Sequence, residues 1–307
     1  MTKRRILLLG LLGACLAAPG TAQTIPFLDG GQKRAYDLSR AAATGSEAAL
    51  EELRSRANDG DRWSAMQFGW LHHTGKAPKA GRDIKIAMKA YRKAAKIASD
   101  SAAITGNPLA AYNMGLIYLY GDDGVESDPH EAAKWFSAAA GDETKVFVPA
   151  AMNLANLFEY GFGNVAQDLA ESARWYRAAA AHKEPYALYK LGAMLANGIG
   201  VAANPFEAQI KLEAAAKMGS TDAMYILSRL SMVDHGLTEK NPVNAAKWLL
   251  IASENNPQFK KLANEAMSKL PRDKQNSAKN MAMAWLKSYG RPMPRTDYRV
   301  PLNTLTQ

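Results

Sequence analysis

The chain has 307 residues, of which 48% are hydrophobic and 22% are charged, and Lys and Arg exceed Asp and Glu by nine. This composition is typical of a water-soluble folded protein. After the N-terminus, no uninterrupted run of about 18 apolar residues is long enough to span a membrane. The mild positive surplus is spread along the chain except near the C-terminus, so it defines no class of partner by itself.

Residues 1–22 have the features of an export signal peptide. They comprise a positive segment (residues 3–5), an apolar core (residues 6–12) extended by small residues, and a small-residue cleavage site (residues 20–22) before Gln23. We therefore expect a periplasmic or secreted protein that does not bind nucleic acid.

Cys15 leaves a second interpretation of the N-terminus open. The residues around it resemble a bacterial lipobox, in which the Cys is lipidated and anchors an outer-membrane lipoprotein. Membrane association is expected only in that case. Ordinary cleavage instead removes the single cysteine, which excludes a thiol nucleophile or a Cys-ligated metal from the mature chain.

Residues 61–255 contain one pattern that returns about every 36 to 46 residues. In each copy a first segment, called helix A, has apolar or small residues at positions i, i+4 and i+8, which form one face of a helix. The three clearest sets are Ala110, Met114 and Tyr118; Ala150, Leu154 and Phe158; and Ala187, Leu191 and Leu195. Five copies can be aligned, the first and last less well than the others.

A turn and a second segment, called helix B, follow each helix A. A glycine is expected to end helix A because it adopts the left-handed conformation at low cost, at Gly75, Gly121, Gly161 and Gly198. An Asp or Asn is expected to cap helix B, at Asp128, Asp168, Asn204 and Asn241, and a Glu three residues later completes a capping box at Glu131, Glu171 and Glu207. Trp135, Trp175 and Trp248 are expected to be buried. Lys211 replaces the Trp in the fourth repeat, so that helix either uses Leu212 or buries the stem of the lysine.

These residues resemble the consensus of the Sel1-like repeat family, which combines a Leu-Gly step, paired glycines with Val, an Asp cap, an Ala-x-x-Trp segment and an Ala-Ala-x-x-Gly ending. The resemblance covers roughly residues 61–253. It implies an all-α fold, a right-handed α-solenoid of about five helix-turn-helix repeats. The tetratricopeptide family, with a 34-residue period and no Gly-x-Gly-Val turn, ranks second.

Both ends of the repeat array are predicted to carry helical caps, because the apolar face of a terminal repeat cannot remain in water. Residues 23–60 form the N-terminal cap, with Ala-rich helices between residues 31 and 58. Residues 256–290 form the C-terminal cap, as a helical pair at residues 257–270 and 277–289. Residues 291–307 contain prolines and no period, which predicts a flexible tail.

The sequence offers little evidence of catalysis or metal binding. His72 and His73 are adjacent, so their side chains point about 100° apart on a helix, and His72 is expected to be partly buried and His73 exposed. The other three histidines stand alone. No nucleophile elbow or phosphate-binding loop is present, so we expect no metal, no cofactor and no enzyme activity. A weak β-lactamase-like hydrolase, suggested only by cysteine-rich relatives of the family, remains as a minor alternative.

The stripe beside the core stripe of helix A is the candidate partner-binding groove. Amides at equivalent positions in successive repeats can bond the backbone of an extended peptide, and aromatic rings supply flat apolar area. The stripe contains Gln67, Trp70, Asn113, Leu116, Tyr120, Asn153, Asn156, Tyr160, Lys190 and Asn197. The alternative interpretation is that these residues pack between repeats.

The leading functional hypothesis is a periplasmic protein–protein interaction scaffold or regulator that binds a partner protein along the concave face of the solenoid. An envelope sensor or an assembly component is the kind of partner that the resemblance implies. The second hypothesis is an outer-membrane lipoprotein scaffold for exopolysaccharide or envelope machinery, anchored through Cys15. The sequence does not choose the partner.

Overall fold

The computed structural model describes residues 30–78, 81–96, 106–141, 146–234 and 239–292. These residues form fourteen α-helices and no β-strand, which confirms the prediction of an all-α fold. The chain divides into two compact units, residues 1–94 (unit 1) and 95–307 (unit 2), so the division lies inside the predicted repeat array. The signal peptide, Cys15 and residues 293–307 of the tail lie outside the described residues.

Unit 1 contains four helices, α1 (Gly30–Ala43), α2 (Glu47–Asn58), α3 (Arg62–Thr74) and α4 (Ile84–Ala95). The first three pack against one another. Ser46 and Asp61 cap α2 and α3 by accepting hydrogen bonds from backbone N–H groups of the first turn. Gly69 on α3 brings the chain so close to the ring of Tyr91 that an added Cβ atom would lie 2.9 Å from it. This contact joins α3 and α4 as a hairpin.

Unit 2 consists of successive hairpins followed by a closing pair of helices, and each helix from α5 to α12 packs on the next. The final helix, α14, packs on α12. The helices are α5 (Pro108–Tyr120), α6 (Pro129–Ala140), α7 (Val148–Tyr160), α8 (Leu169–Ala181), α9 (Pro185–Asn197), α10 (Pro205–Lys217), α11 (Thr221–Leu230), α12 (Pro242–Ser253), α13 (Gln258–Ser268) and α14 (Arg272–Tyr289).

The predicted signals at the helix ends are present in the structure. The glycine after helix A in each of the first four repeats has a positive φ: 67° at Gly75, 69° at Gly121, 64° at Gly161 and 68° at Gly198. All four predicted caps of helix B accept backbone hydrogen bonds through their side chains: Asp128, Asp168, Asn204 and Asn241. Local backbone chemistry therefore fixes where each hairpin bends.

Glycines inside helix A allow helix B to approach closely. A Cβ atom on Gly115 would lie 2.5 Å from the ring of Phe136, and one on Gly192 would lie 2.6 Å from Leu212. Leu212 is fully buried, whereas its neighbour Lys211 is only half-buried. The fourth repeat thus uses Leu212 to fill its core, which is one of the two predicted solutions to the missing Trp.

In two of the three predicted capping boxes, the Glu side chain bonds to tryptophan and not to the backbone of the cap residue. The indole N–H of Trp135 donates to Glu131 at 3.1 Å, and that of Trp175 donates to Glu171 at 2.9 Å. Both indoles are buried, as predicted, with 7% and 5% exposure. The carboxylate therefore satisfies an indole donor that burial would otherwise leave without a partner.

Two predictions about local structure were wrong. Helix α14 begins at Arg272, five residues before the predicted start at Ser277, because Pro271 stands just outside the helix with extended ψ (154°) and the chain turns helical at once. His73 is buried at 4% exposure, with its Nδ1 3.2 Å from the hydroxyl of Tyr91. Tyr91 offers it a polar partner inside unit 1, which makes this burial tolerable.

Candidate functional site

Helices α5, α7 and α9 place the predicted groove residues of unit 2 at equivalent positions but at different depths. Tyr160 is 54% exposed, and Asn197 is exposed as well. Leu116, Tyr120 and Lys190 are half-buried. We call these five residues the A face of unit 2. They are the predicted residues of this unit that retain accessible surface.

The three predicted asparagines of unit 2 are buried. Asn113, Asn153 and Asn156 are 3%, 5% and 4% exposed. The Nδ2 of Asn153 on α7 donates to the hydroxyl of Tyr112 on α5, at 3.2 Å, and so joins two successive repeats. Asn156 accepts a hydrogen bond of 2.8 Å from Tyr176 on α8. Asn153 thus links two successive repeats, whereas Asn156 links the two helices of one repeat.

Two buried amide groups on this stripe are incompletely satisfied. Among the described residues, the Nδ2 atoms of Asn113 and Asn156 have no hydrogen-bond partner. Each unsatisfied donor lowers the stability gained by folding. The amides therefore shape the packing beneath the A face and do not themselves form its accessible surface.

A polar cluster joins α7, α8 and α9 directly beneath Tyr160. The ammonium of Lys190 on α9 contacts the Glu159 carboxylate on α7 and lies 3.2 Å from the hydroxyl of Tyr160. The other carboxylate oxygen of Glu159 is 2.6 Å from the hydroxyl of Tyr176 on α8. Three helices thus meet at one carboxylate.

Aromatic rings surround the Lys190 ammonium. It lies 5.4 Å from the ring centre of Tyr160, 5.8 Å from that of Tyr176 and 5.7 Å from that of Tyr186. Burial alone lowers the pKa of Lys190, but Tyr186 and the Glu159 carboxylate outweigh that effect and hold the pKa above its ordinary value. Lys190 is therefore a permanent cation that holds the Tyr160 ring in place.

Burial raises the pKa of three phenols in this part of unit 2. Burial and the nearby Tyr112 raise the pKa of Tyr120 to about 12. Burial is also the largest cause of the raised pKa values of Tyr176 and Tyr186, and the Glu159 carboxylate adds to both. At physiological pH these groups are hydrogen-bonding phenols with apolar rings. This chemistry suits recognition of a polypeptide.

The predicted groove residues of unit 1 lie on α3. Gln67 is half-buried and Trp70 is buried at 6% exposure. The ammonium of Lys76 lies 4.8 Å above the Trp70 ring. Because α3 belongs to unit 1, these two residues are described apart from the A face of unit 2.

The sequence interpretation missed Tyr112, Glu159, Tyr176 and Tyr186, which organise the site from below. A usable signal was present, because Glu159 and Lys190 are opposite charges on equivalent helices of consecutive repeats. The described residues contain no cluster of three or more His, Cys, Asp or Glu side chains that could hold a metal ion. No helix in the described ranges is long and apolar enough to cross a membrane.

Successive helical hairpins with glycine turns, capped second helices and a face of aromatic and polar side chains define a helical-repeat protein. The Sel1 repeat family model matches five times, at residues 65–97, 108–141, 148–183, 185–220 and 221–257. These matches cover more than half of the chain, so the protein belongs to the Sel1 repeat family. Sel1 repeats generally mediate protein–protein interactions, and they are typically scaffolds without catalytic function.

Solved structures support the fold. A Sel1 repeat protein from Oxalobacter formigenes is 23% identical with a TM-score of 0.59, and the match covers 84% of this chain and 96% of that one. The c5321 protein, a protective antigen present in uropathogenic Escherichia coli strains that displays an SLR fold, is 22% identical with a TM-score of 0.52. That match covers 85% of this chain and spans 61% of the c5321 chain. A search of curated proteins found no significant match.

Proposed function

We propose that this protein is an exported interaction scaffold or regulator that binds a segment of a partner protein on the A face of unit 2. The observation that carries the proposal is Tyr160. Its ring is 54% exposed although it is held in place by Lys190. An aromatic side chain that is both accessible and fixed loses little conformational entropy on binding, which is the property of an interface hot spot.

The neighbours of Tyr160 favour a polypeptide partner. Asn197 is exposed at the equivalent position of the next repeat, and its Nδ2 is committed to the backbone oxygen of Ala193 at 2.7 Å. Its side-chain oxygen has accepting capacity for the backbone N–H of a partner. Tyr120 and Leu116 extend the apolar part of the face along α5. A row of apolar contacts with intermittent hydrogen-bonding groups suits an extended or helical segment.

The exported location is part of the proposal and depends on residues 1–22. The positive segment, the apolar core and the small-residue cleavage site support it. The alternative, an outer-membrane lipoprotein scaffold, depends on Cys15. Labelling of cells with radioactive palmitate, in the wild type and in Cys15→Ser, tests this alternative. Label that disappears in the variant supports the lipoprotein, and absence of label in both supports ordinary cleavage.

Co-purification from cell envelopes of the source bacterium tests the binding proposal. Tyr160→Ala is compared with Phe206→Ala, because Phe206 is an even more accessible aromatic residue on α10, outside the A face, at 67% exposure. We expect Tyr160→Ala to lose the protein that the wild type enriches, whereas Phe206→Ala retains it. Equal retention by both variants contradicts the proposal. Turnover of nitrocefin by the purified protein is the matching test of the hydrolase alternative.

A further inference from the structure

Helix α4 of unit 1 presents an uninterrupted positive face. Helix α4, from Ile84 to Ala95, contains four Lys and Arg residues and no Asp or Glu. At 100° per residue, all four fall within about a quarter of the circumference of the helix. They are Lys85, Lys89, Arg92 and Lys93, and all four are exposed. We call them the α4 stripe.

The stripe works against the stability of its own helix. Lys85, Lys89 and Lys93 are spaced four residues apart, so each repels the next across one turn. The helix dipole favours Lys93 in the last turn of α4, but no carboxylate contact offsets the repulsion. Neither Lys85 nor Lys89 contacts a carboxylate in the described part of unit 1, and Lys93 donates to the neutral Asn58 side chain at 2.8 Å. Like charges one turn apart with no carboxylate partner break a local rule, which is expected where a surface has a function.

Three carboxylates of unit 1 bond to groups other than the lysines of the stripe. Glu52 forms an ion pair with Arg34 at 2.7 Å, and Asp61 forms one with Arg56 at 3.0 Å. Asp83 accepts a hydrogen bond of 2.9 Å from the backbone of Ile86 at the start of α4. The positive field of Lys85, Lys89 and Lys93 therefore extends into solvent and is available to an anionic partner.

The stripe has the composition of a surface that binds anions without entering a membrane. Ile86, at 39% exposure, is the only large apolar residue exposed on the described α4, and it lies at the margin of the stripe. An interfacial membrane helix needs several large apolar side chains to insert between lipids. Cations alone suit a carboxylate-bearing partner that remains in water.

The spacing of the three lysines also selects among acidic partners. Four helical residues rise about 6 Å, so the three lysines form a row with steps of that length. In an extended polypeptide, alternate side chains point the same way and stand about 6.6 to 7 Å apart. In an extended segment with an acidic residue at every second position, the acidic side chains therefore have nearly the same spacing as the three lysines, and each can face one lysine.

We propose that the α4 stripe is a second interaction surface, which binds an extended acidic segment of a partner protein through Lys85, Lys89 and Lys93. This surface is separate from the A face. Either surface can fail its test without affecting the other.

The test uses the full chain and a fluorescent peptide of about ten residues in which Glu and Thr alternate. Fluorescence anisotropy compares three proteins: the wild type, the triple variant Lys85→Gln, Lys89→Gln, Lys93→Gln, and a control triple variant. The control, Lys33→Gln, Lys260→Gln, Lys274→Gln, removes the same charge from exposed lysines on α1, α13 and α14. We expect at least about tenfold weaker binding for the α4 variant and less than about twofold for the control.

Folding is monitored by thermal melting, and the α4 variant is expected to keep or raise its melting temperature because the repulsion is removed. A charge-preserving variant, Lys85→Arg, Lys89→Arg, Lys93→Arg, should bind as the wild type does. Equal weakening in both Gln variants overturns the proposal, because net charge alone then explains binding. Absence of peptide binding at low salt also overturns it. The proposal is also overturned if the α4 variant no longer binds phosphatidylglycerol vesicles but still binds the peptide as the wild type does.

Discussion

Lys190 and Glu159 form an ion pair between two consecutive repeats, with side chains only 13% and 18% exposed. The pair ties α9 to α7, and its carboxylate also contacts the hydroxyl of Tyr176 on α8. Since both charges are largely withdrawn from water, each depends on the other. The same lysine supports Tyr160, so the pair connects the packing of unit 2 with its proposed binding surface.

Lys190→Met is expected to lower the free energy of unfolding by about 3 kcal/mol, because it leaves the Glu159 carboxylate largely buried without a cation. Urea denaturation measures the change. Arg174→Met is the control, since Arg174 pairs with Glu171 but is 52% exposed, and it should cost less than about 1 kcal/mol. The double variant Lys190→Met, Glu159→Gln should recover part of the loss. If Lys190→Met and Arg174→Met lower the free energy of unfolding by similar amounts, the buried Lys190 pair is no more important for stability than the exposed Arg174 pair.

Stability is expected to fall as the pH rises above about 10, where unfolded tyrosine ionises. The pKa of Tyr120 is raised to about 12 in the folded protein, and those of Tyr176 and Tyr186 are raised too. A raised folded-state pKa contributes stability below the unfolded pKa, and that stability is lost as the pH approaches the folded value. The raised pKa of Lys190 acts in the same direction.

Urea denaturation between pH 8 and 11.5, approximately, measures this dependence. Tyr120→Phe should make the alkaline loss of stability shallower. Tyr289→Phe, which alters a phenol on α14 that is 48% exposed, is the matched control and should leave the slope unchanged. An alkaline slope identical in the wild type and both variants would contradict the role given to Tyr120.

Two glycines with similar positive φ values distinguish the cost of backbone strain from the cost of a steric clash. Gly124 has φ of +75° with nothing within 4 Å of an added Cβ atom, whereas Gly200 has φ of +68° and its Cβ would lie 2.1 Å from the Leu169 oxygen. Gly124→Ala should cost about 1 kcal/mol for the left-handed conformation alone. Gly200→Ala should cost at least about 2 kcal/mol more, because the turn must move away from α8. Equal costs in urea denaturation would refute this contact.

The buried amides are expected to affect stability unequally. Asn153→Ala removes the hydrogen bond to Tyr112 and should cost about 1 to 3 kcal/mol. Asn113→Ala removes a buried Nδ2 that has no partner among the described residues, so its cost should be clearly smaller. Thermal melting of the two variants compares them. If Asn113→Ala lowers the melting temperature more than Asn153→Ala does, the prediction is wrong and the Asn113 amide has a larger structural role than its contacts indicate.

The elements that the sequence predicted well are those that depend on local backbone chemistry. Rules that act within one or two helical turns predict three kinds of feature. They are the glycines that end helix A, the caps Asp128 and Asn204, and the burial of Trp175. Such rules need no knowledge of the neighbouring helix. The repeated hairpins follow from them.

The depth of the groove residues could not be predicted in the same way. Helical periodicity gives the angle of a side chain around its own helix, but burial depends on how far the next repeat covers that angle. Asn153 and Tyr160 were therefore assigned the same role, although one is buried against Tyr112 and the other is exposed. The bonds from Glu131 and Glu171 to indoles likewise depend on side-chain reach, which a capping-box pattern does not specify.

Site-specific photocrosslinking in living cells tests most directly whether the A face of unit 2 binds a partner protein. Benzoylphenylalanine is placed at Tyr120, Tyr160 or Asn197, and at the exposed positions Phe206 and Ile210 of α10 as controls. Binding at the A face predicts one crosslinked partner that all three groove positions share and that neither control position captures. Crosslinks of that partner from α10 alone, or equally from every position, would contradict the proposed function.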